Sequence, residues 1–301
     1  MIVQSRYPDS PREWYAVIGI DYECFTRITE MCSVHFESQN GQTYEQHLSL
    51  NPNEKQVRFQ TLEQLIFATL MVLKSGITFD LFGYLMQIDQ SNALRQFKKG
   101  LQILHDTLDT EGYTPIRSFD DPEHFRNQFL KGETLILDGT EQFIQRPSNY
   151  EEQKLYFSGK KKRHTVKTLI ISTLDRYIHF ASALYIGKSH DFSILREEFP
   201  PGESWFDPFI VRVDLGYQGF AKAYPKVRLF ILAKKPRGGE LTAEQKELNK
   251  QSARQRIKVE HAIGGIKRYD ILVNTWKMHD YEVFNQAVGT CAALWNYLIT
   301  K

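Results

Sequence analysis

The sequence predicts an α/β protein in two parts, a helical N-terminal half followed by a mixed β-sheet with helices on its faces. Two patterns carry that expectation. Up to about residue 108 the apolar residues recur at helical spacing, and from 134 onward short apolar runs bounded by turn residues replace them. A composition of 42% hydrophobic and 25% charged residues permits a real core, and 301 residues leave room for two domains. The expected boundaries are 1–115 for the helical domain and 131–301 for the sheet domain.

Taken in order, residues 15–36 read as one helix. Leu62, Leu65, Ile66, Thr69, Leu70 and Leu73 then mark an amphipathic helix that Ser75-Gly76 breaks. Thr78 is placed to cap a short helix over 79–88. A third helix follows, with Leu94, Phe97, Leu101, Leu104 and Leu108 on one face and Arg95, Lys98, Lys99 and Gln102 mostly away from it. Helix, short turn, helix, then a helix with exposed cations is the order of a helix-turn-helix module, and equally that of a small bundle with a wet face. If the module binds DNA, Asn92, Arg95, Gln96 and Lys99 are the candidate contacts.

After a polar stretch over 110–131, five strands are expected at 134–145, 164–175, 177–187, 208–217 and 227–234. The second and third are joined by a tight hairpin around Arg176. The tail reads as a long helix over 242–275 and another over 280–299.

Several classes are excluded. Three cysteines without a CxxC pair argue against a disulfide framework and a structural zinc site. The N-terminal segment lacks the apolar core of a signal peptide, and no apolar run approaches membrane-spanning length, so a cytoplasmic location is expected. Net charge is only +2, but it is unevenly spread. Residues 154–188 hold eight Lys/Arg against one acid, and 234–268 hold ten against four. Such stretches are either solvated basic faces or walls that bind phosphates.

The chemistry points to three carboxylates. Asp138 ends the apolar run Leu135-Ile136-Leu137, and Asp214 ends Ile210-Val211-Arg212-Val213. A strand end gives a charged group a rigid mount without the full cost of burial. Further on, Arg256, Glu260 and Lys267 fall within about 40° of one another on an ideal helix. Val259, Ile263 and Ile266 form an adjacent apolar stripe. Two aspartates and a glutamate offer only hard oxygen donors, which suit two Mg²⁺ or Mn²⁺ ions rather than zinc. Arg256 and Lys267 would then neutralise phosphates on either side. Gly264-Gly265 costs this helix roughly 1 kcal/mol per glycine, which close backbone packing or the approach of DNA would explain.

The segments LDGTE, IQRP, YFSGKKKRHTVKT, GKSHD, VRVDLGYQG and RIKVEHAIGGIKRY resemble insertion-sequence transposases of the IS-five family, relatives of the eukaryotic Harbinger transposases. The resemblance covers about 131–300, and more loosely the helices of 60–108. It implies an RNase H-like catalytic domain in which Asp138, Asp214 and Glu260 are catalytic and bind metal. Arg256, Glu260 and Lys267 fit the tail of a Tyr-(2)-Arg-(3)-Glu-(6)-Lys signature, with Ala253 in the place of the tyrosine. His190-Asp191 matches a His-Asp pair of this group and is a secondary candidate, an Asp that caps the following helix being the alternative. The run Lys160, Lys161, Lys162 and Arg163, beside Tyr156 and Phe157, is placed to hold DNA phosphates and stack on a base. Double-stranded DNA and a second copy of the chain are the partners implied. Two other functions use the same features: a metal-dependent nuclease that cuts without joining, and a DNA-binding regulator with inert carboxylates.

Overall fold

The computed structural model describes residues 7–51, 58–232 and 239–301. In chain order its helices begin with α1 (Pro11–Ile18), α2 (Tyr22–Asn40), α3 (Tyr44–Leu50), α4 (Leu62–Ser75), α5 (Phe79–Met86), α6 (Gln90–Thr110) and α7 (Pro122–Arg126). Strand β1 (Thr134–Phe143), helix α8 (Tyr150–Tyr156) and strands β2 (Phe157–Ser158), β3 (Arg163–Ser172), β4 (Ile178–Ala181) and β5 (Tyr185–Ile186) follow. The chain continues through α9 (Asp191–Glu198), β6 (Ile210–Val213), α10 (Phe220–Ala223), β7 (Arg228–Ile231), α11 (Ala243–Ile266) and α12 (Tyr281–Ile299). No described helix is long and apolar enough to cross a membrane.

The chain divides into two compact units. One runs to Thr114 and also takes in Ile266–Ile299 and Lys301; the other is Pro115–Gly265 with Thr300. The C-terminal helix therefore belongs with the N-terminal helices.

In the helical unit the expected single helix over 15–36 is two. Gly19 at φ 82° ends α1 in the left-handed region, and the Asp21 carboxylate accepts from the Cys24 amide to start α2. The later elements follow their caps: Thr78 accepts from Leu81 N–H at the start of α5, and Asp89 from Asn92 N–H at the start of α6. Gln87, left-handed at φ 59°, makes the turn between α5 and α6. Helix α6 buries Phe97, Leu101, Leu104 and Leu108, and Lys98 Nζ lies 2.6 Å from Asp280 beside the start of α12.

The other unit is built on a mixed seven-stranded sheet of order β2-β3-β1-β6-β7, with β4 and β5 also paired to β3. β1 runs antiparallel to β3 and parallel to β6, and β7 runs parallel to β6. The expected third strand over 177–187 is broken into β4 and β5. Between them the Ser182 hydroxyl accepts from Leu169 N–H, so a side chain takes a rung that backbone would otherwise hold. The last expected strand ends at Ile231; Ala233 and Lys234, with part of the second basic stretch, lie outside the described residues.

Leu135 and Leu137 of β1, Leu169 and Ile171 of β3, and Val211 and Val213 of β6 face one core, filled out by Phe125, Phe199, Phe206 and Tyr217. Side chains alternate across a strand, so Ile136, Asp138, Thr140 and Gln142 project from the opposite face. On α11, Val259, Ala262 and Ile266 are buried and Ile263 is half-buried. This helix ends at Ile266, shortly after its two glycines, rather than at 275. A side chain at Gly264 would meet nothing within 4 Å, so close packing is not the reason for that glycine.

Candidate active site

Asp138 lies in β1 opposite Ile170 of β3, two residues beyond the last pairing of β1 with β6 at Ile136. Its side chain is 19% exposed, and its Oδ1 accepts from the Gly139 amide at 2.9 Å. Burial pushes its carboxyl up to about 6, against the pull of Arg256. The negative charges of Asp214 and Asp191 add to the rise. Asp214 follows β6 directly and caps a 3-10 turn over Leu215–Tyr217, its Oδ1 accepting from Gly216 N–H at 2.7 Å.

Glu260 is the open member, with a side chain 56% exposed on α11. Arg256, one helical turn earlier, links it to the sheet. The Arg256 Nη2 atom is 3.5 Å from Asp138 Oδ2 and 3.8 Å from Glu260 Oε1. These contacts are long, and the buried Nε of Arg256 has no hydrogen-bond partner among the described residues.

Asp138, Asp214, Glu260 and Arg256 all fall within the sheet unit. Lys267 does not. It stands one residue past the end of α11 and groups with the helical unit, so the helical face that would align it with Glu260 stops short of it. The side chain of Ala253 lies outside the described part.

As they stand, no three His, Cys, Asp or Glu side chains among the described residues are grouped tightly enough to hold a metal ion. The donor chemistry fits a hard divalent ion, since every oxygen belongs to a carboxylate. The guanidinium between Asp138 and Glu260 meets the same need for positive charge.

His190 and Asp191 open α9, with His190 exposed and making no side-chain cap. Asp191 is no cap either: its Oδ1 accepts from Lys167 Nζ at 2.9 Å. Sequence reasoning missed three residues here, Lys167, Glu141 and Tyr217. The signal for the first was available, a lysine inside the otherwise buried run of β3.

The other candidates divide sharply. Lys160, Lys161, Lys162 and Arg163 form an exposed turn between β2 and β3, closed by Lys162 N–H donating to the Ser158 carbonyl. Arg163 stacks over the Phe143 ring at 4.0 Å, and Phe157 is exposed beside it. Of the four α6 candidates, Arg95 is the exposed one. Gln96 is buried, Lys99 sits over the Tyr44 ring, and Asn92 is half-buried with its carbonyl accepting from Gln96.

Comparison with known proteins bears on this acidic set. Residues 137–296, more than half of the chain, match the family described as DDE superfamily endonuclease. The chain belongs to that family. It is 33% identical over 169 residues to a probable transposase for insertion sequence element IS702 from Microchaete diplosiphon, a match that covers 54% of this chain and 56% of the relative. The chain thus spans just over half the length of the curated relative it matches. No solved structure matches it. The family match begins one residue before Asp138 and takes in Asp214 and Glu260.

Proposed function

We propose that this DDE-family chain is a DNA transposase. It hydrolyses phosphodiester bonds at the ends of its own element and transfers the freed 3′-hydroxyls into target DNA. The observation that carries the reading is the acidic set of the sheet unit. Asp138 lies midway along β1 and Asp214 directly after the neighbouring β6, the charge of Asp214 acts on Asp138, and Glu260 is tied to Asp138 through Arg256.

In this reading Asp138, Asp214 and Glu260 hold two Mg²⁺ or Mn²⁺ ions, Arg256 giving up its place between the acids. Such ions, when bound, neutralise and polarise the oxygens of an in-line phosphoryl transfer. The chain's own residues do the rest. Asp138 is mounted within β1 and Asp214 directly after β6, so their carboxylates are fixed before DNA arrives. Arg256, released from Asp138 and Glu260, presents a planar fork to a phosphate. Lys160–Arg163 grip the backbone of flanking DNA, and Phe157 offers an aromatic face to an unpaired base.

The finer assignments belong to the same proposal. The sheet unit is RNase H-like and of the IS-five type related to Harbinger. Helices α4, α5 and α6 act as the helix-turn-helix that reads double-stranded terminal repeats, with Arg95 the contact its exposure favours. Two copies assemble on DNA so that both ends are cut together, in the cytoplasm at the nucleoid.

The test is cleavage of DNA carrying the element's ends in Mg²⁺ or Mn²⁺. Asp138→Asn, Asp214→Asn and Glu260→Gln should each lower nicking at least about 100-fold, the scale of a lost electrostatic catalytic contact, with DNA binding retained. Nicking that survives all three substitutions would overturn the mechanism. Persistent cutting of pre-nicked ends with no joined product would make the protein a nuclease instead.

A further inference from the structure

One buried charge in the sheet unit has no counter-charge among the described residues. Strand β6 turns Val211 and Val213 to the core, and β7 turns Leu229 and Ile231 to it. Arg212, Arg228 and Phe230 therefore stand on the other face, the one that carries Asp138. The register fixes their places. Arg212 pairs with Ile136 of β1 on one side and with Phe230 of β7 on the other, while Arg228 pairs with Ile210.

Arg212 is 9% exposed, yet it makes no ion pair with a described residue, and its buried Nε has no hydrogen-bond partner among them. What it does have is a ring and a like charge. Its guanidinium carbon lies 4.2 Å from the centre of the Phe230 ring, and that of Arg228 lies 5.6 Å from the same centre. Arg228 is exposed. Burial, and then the charge of Arg228, pull Arg212 below the usual arginine value.

Burying a charge is expensive unless an opposite charge pairs with it, and a second cation adds to the cost. An aromatic face returns only part of that cost. Two guanidiniums gathered on one ring, one of them buried and unpaired, are arranged for an anion that arrives from outside. Strand β7 ends the strand order, and the exposed Arg228 on it gives an anion a way in.

The register also relates this pair to the acids. Asp138 and Asp214 each lie two residues beyond the Ile136–Arg212 pair, Asp214 continuing the extended backbone of β6. Two residues of a strand rise about 6.6 Å. The arginines thus stand one row behind the carboxylates on one face. A guanidinium presents a planar fork of donors that fits phosphate, and each DNA strand carries a phosphate about every 3.4 Å of its axis.

We propose that Arg212 and Arg228 together bind one backbone phosphate of DNA, with Phe230 as their shared support, beside the phosphodiester that is cut. The proposal rests on the reading of this chain as a DNA-cutting enzyme. It gives the acid row a neighbouring cation row, the first for ions and the second for the strand.

The experiment is the affinity of the full chain for a DNA duplex without divalent ions, between 50 and 200 mM salt, with urea denaturation alongside. Arg212→Met removes the unpaired charge and keeps an unbranched side chain. Its slope of log affinity against log salt should flatten by about 0.9, the share of one phosphate contact, while its urea midpoint holds or rises. Arg228→Met, at an exposed position, should flatten the slope alike, and it serves where Arg212→Met does not fold. Because one phosphate is shared, the double variant should lose no more slope than either single one. A packing role for Arg212 predicts the reverse, a fallen urea midpoint with the wild-type slope, and that result overturns the proposal. Inorganic phosphate that raises the urea midpoint of the wild type but not of Arg212→Met, with the slopes unchanged, would make this a free-anion site and overturn the DNA assignment. If the wild type binds DNA with a slope that neither arginine affects, this site fails and the transposase reading stands. A wild type that binds no DNA overturns that reading as well.

Discussion

Two arrangements of the same composition, carboxylate–cation–carboxylate, flank strand β1. On the α9 side, Lys167 reaches Asp191 at 2.9 Å and Glu141 at 3.8 Å, and the Glu141 side chain is only 8% exposed. On the α11 side, Arg256 stands 3.5 Å from Asp138 and 3.8 Å from Glu260, whose side chain is 56% exposed. The first cation makes two short hydrogen bonds, to Ser189 and Asp191, and cannot leave without stranding the buried Glu141. The second makes long contacts and can be exchanged for another cation at small loss. Tight, buried charge holds the scaffold; loose, half-open charge is where chemistry can enter.

The largest effect that separates the two is on stability. Lys167→Met leaves Glu141 and Asp191 without their shared counter-ion and should cost about 3–5 kcal/mol, as breaking a buried pair does. Arg256→Met leaves the largely buried Asp138 without its counter-ion, though Asp138 can protonate and Glu260 stays in water; a smaller loss of about 1–3 kcal/mol is expected. Urea denaturation of both variants provides the measurement. Equal losses would erase the distinction.

The next effect is pH dependence of the metal-free protein. The Asp138 carboxyl sits at about 6 in the folded chain against an ordinary value of 3.8. A raised carboxyl means that the folded state favours the proton. Its contribution is fully present below pH 3.8 and is lost as pH rises through about 6. Across that window the slope belonging to Asp138 amounts to about 3 kcal/mol, at 1.36 kcal/mol per unit. Asp138→Asn should abolish this slope, and Glu260→Gln, at an open position, should leave it intact. Denaturation midpoints at pH 4, 5, 6 and 7 test both, and a slope that survives Asp138→Asn would show that Asp138 is not the desolvated group.

How much of this was legible in the sequence depends on how far apart the partners lie. Asp138 and Asp214 could be read because each ends an apolar run, a local pattern. The caps Thr78 and Asp89 are equally local, and Thr78 was read from the sequence. The split at Gly19 was missed because the apolar periodicity of 15–36 runs straight through it, while the left-handed glycine and the capping Asp21 decide the geometry. Lys167 could be noticed as a charge in a buried strand, yet Asp191 is 24 residues away and only the fold joins them. Lys98 and its partner Asp280 are separated by 182 residues, so helical periodicity marked the lysine as exposed when it is engaged. Lys267 was aligned with Glu260 on a helix expected to run to 275, whereas α11 ends one residue before it.

The smallest expected effect on stability is at the β2–β3 turn, and it extends the distinction between engaged and exchangeable charge. Lys160, Lys161 and Lys162 are exposed and make no ion pair with the described residues, so replacing all three with alanine should change stability by no more than about 0.5 kcal/mol. DNA affinity should respond strongly. Each phosphate contact contributes about 0.9 to the slope of log affinity against log salt, so losing three should flatten that slope by nearly 3. Lys98→Ala should do the reverse, weakening the fold through the loss of Asp280 and leaving the salt slope unchanged. Binding isotherms between 50 and 200 mM salt discriminate the two. If the Lys98 variant flattens the slope and the turn variant does not, exposure is the wrong guide to which cations meet DNA.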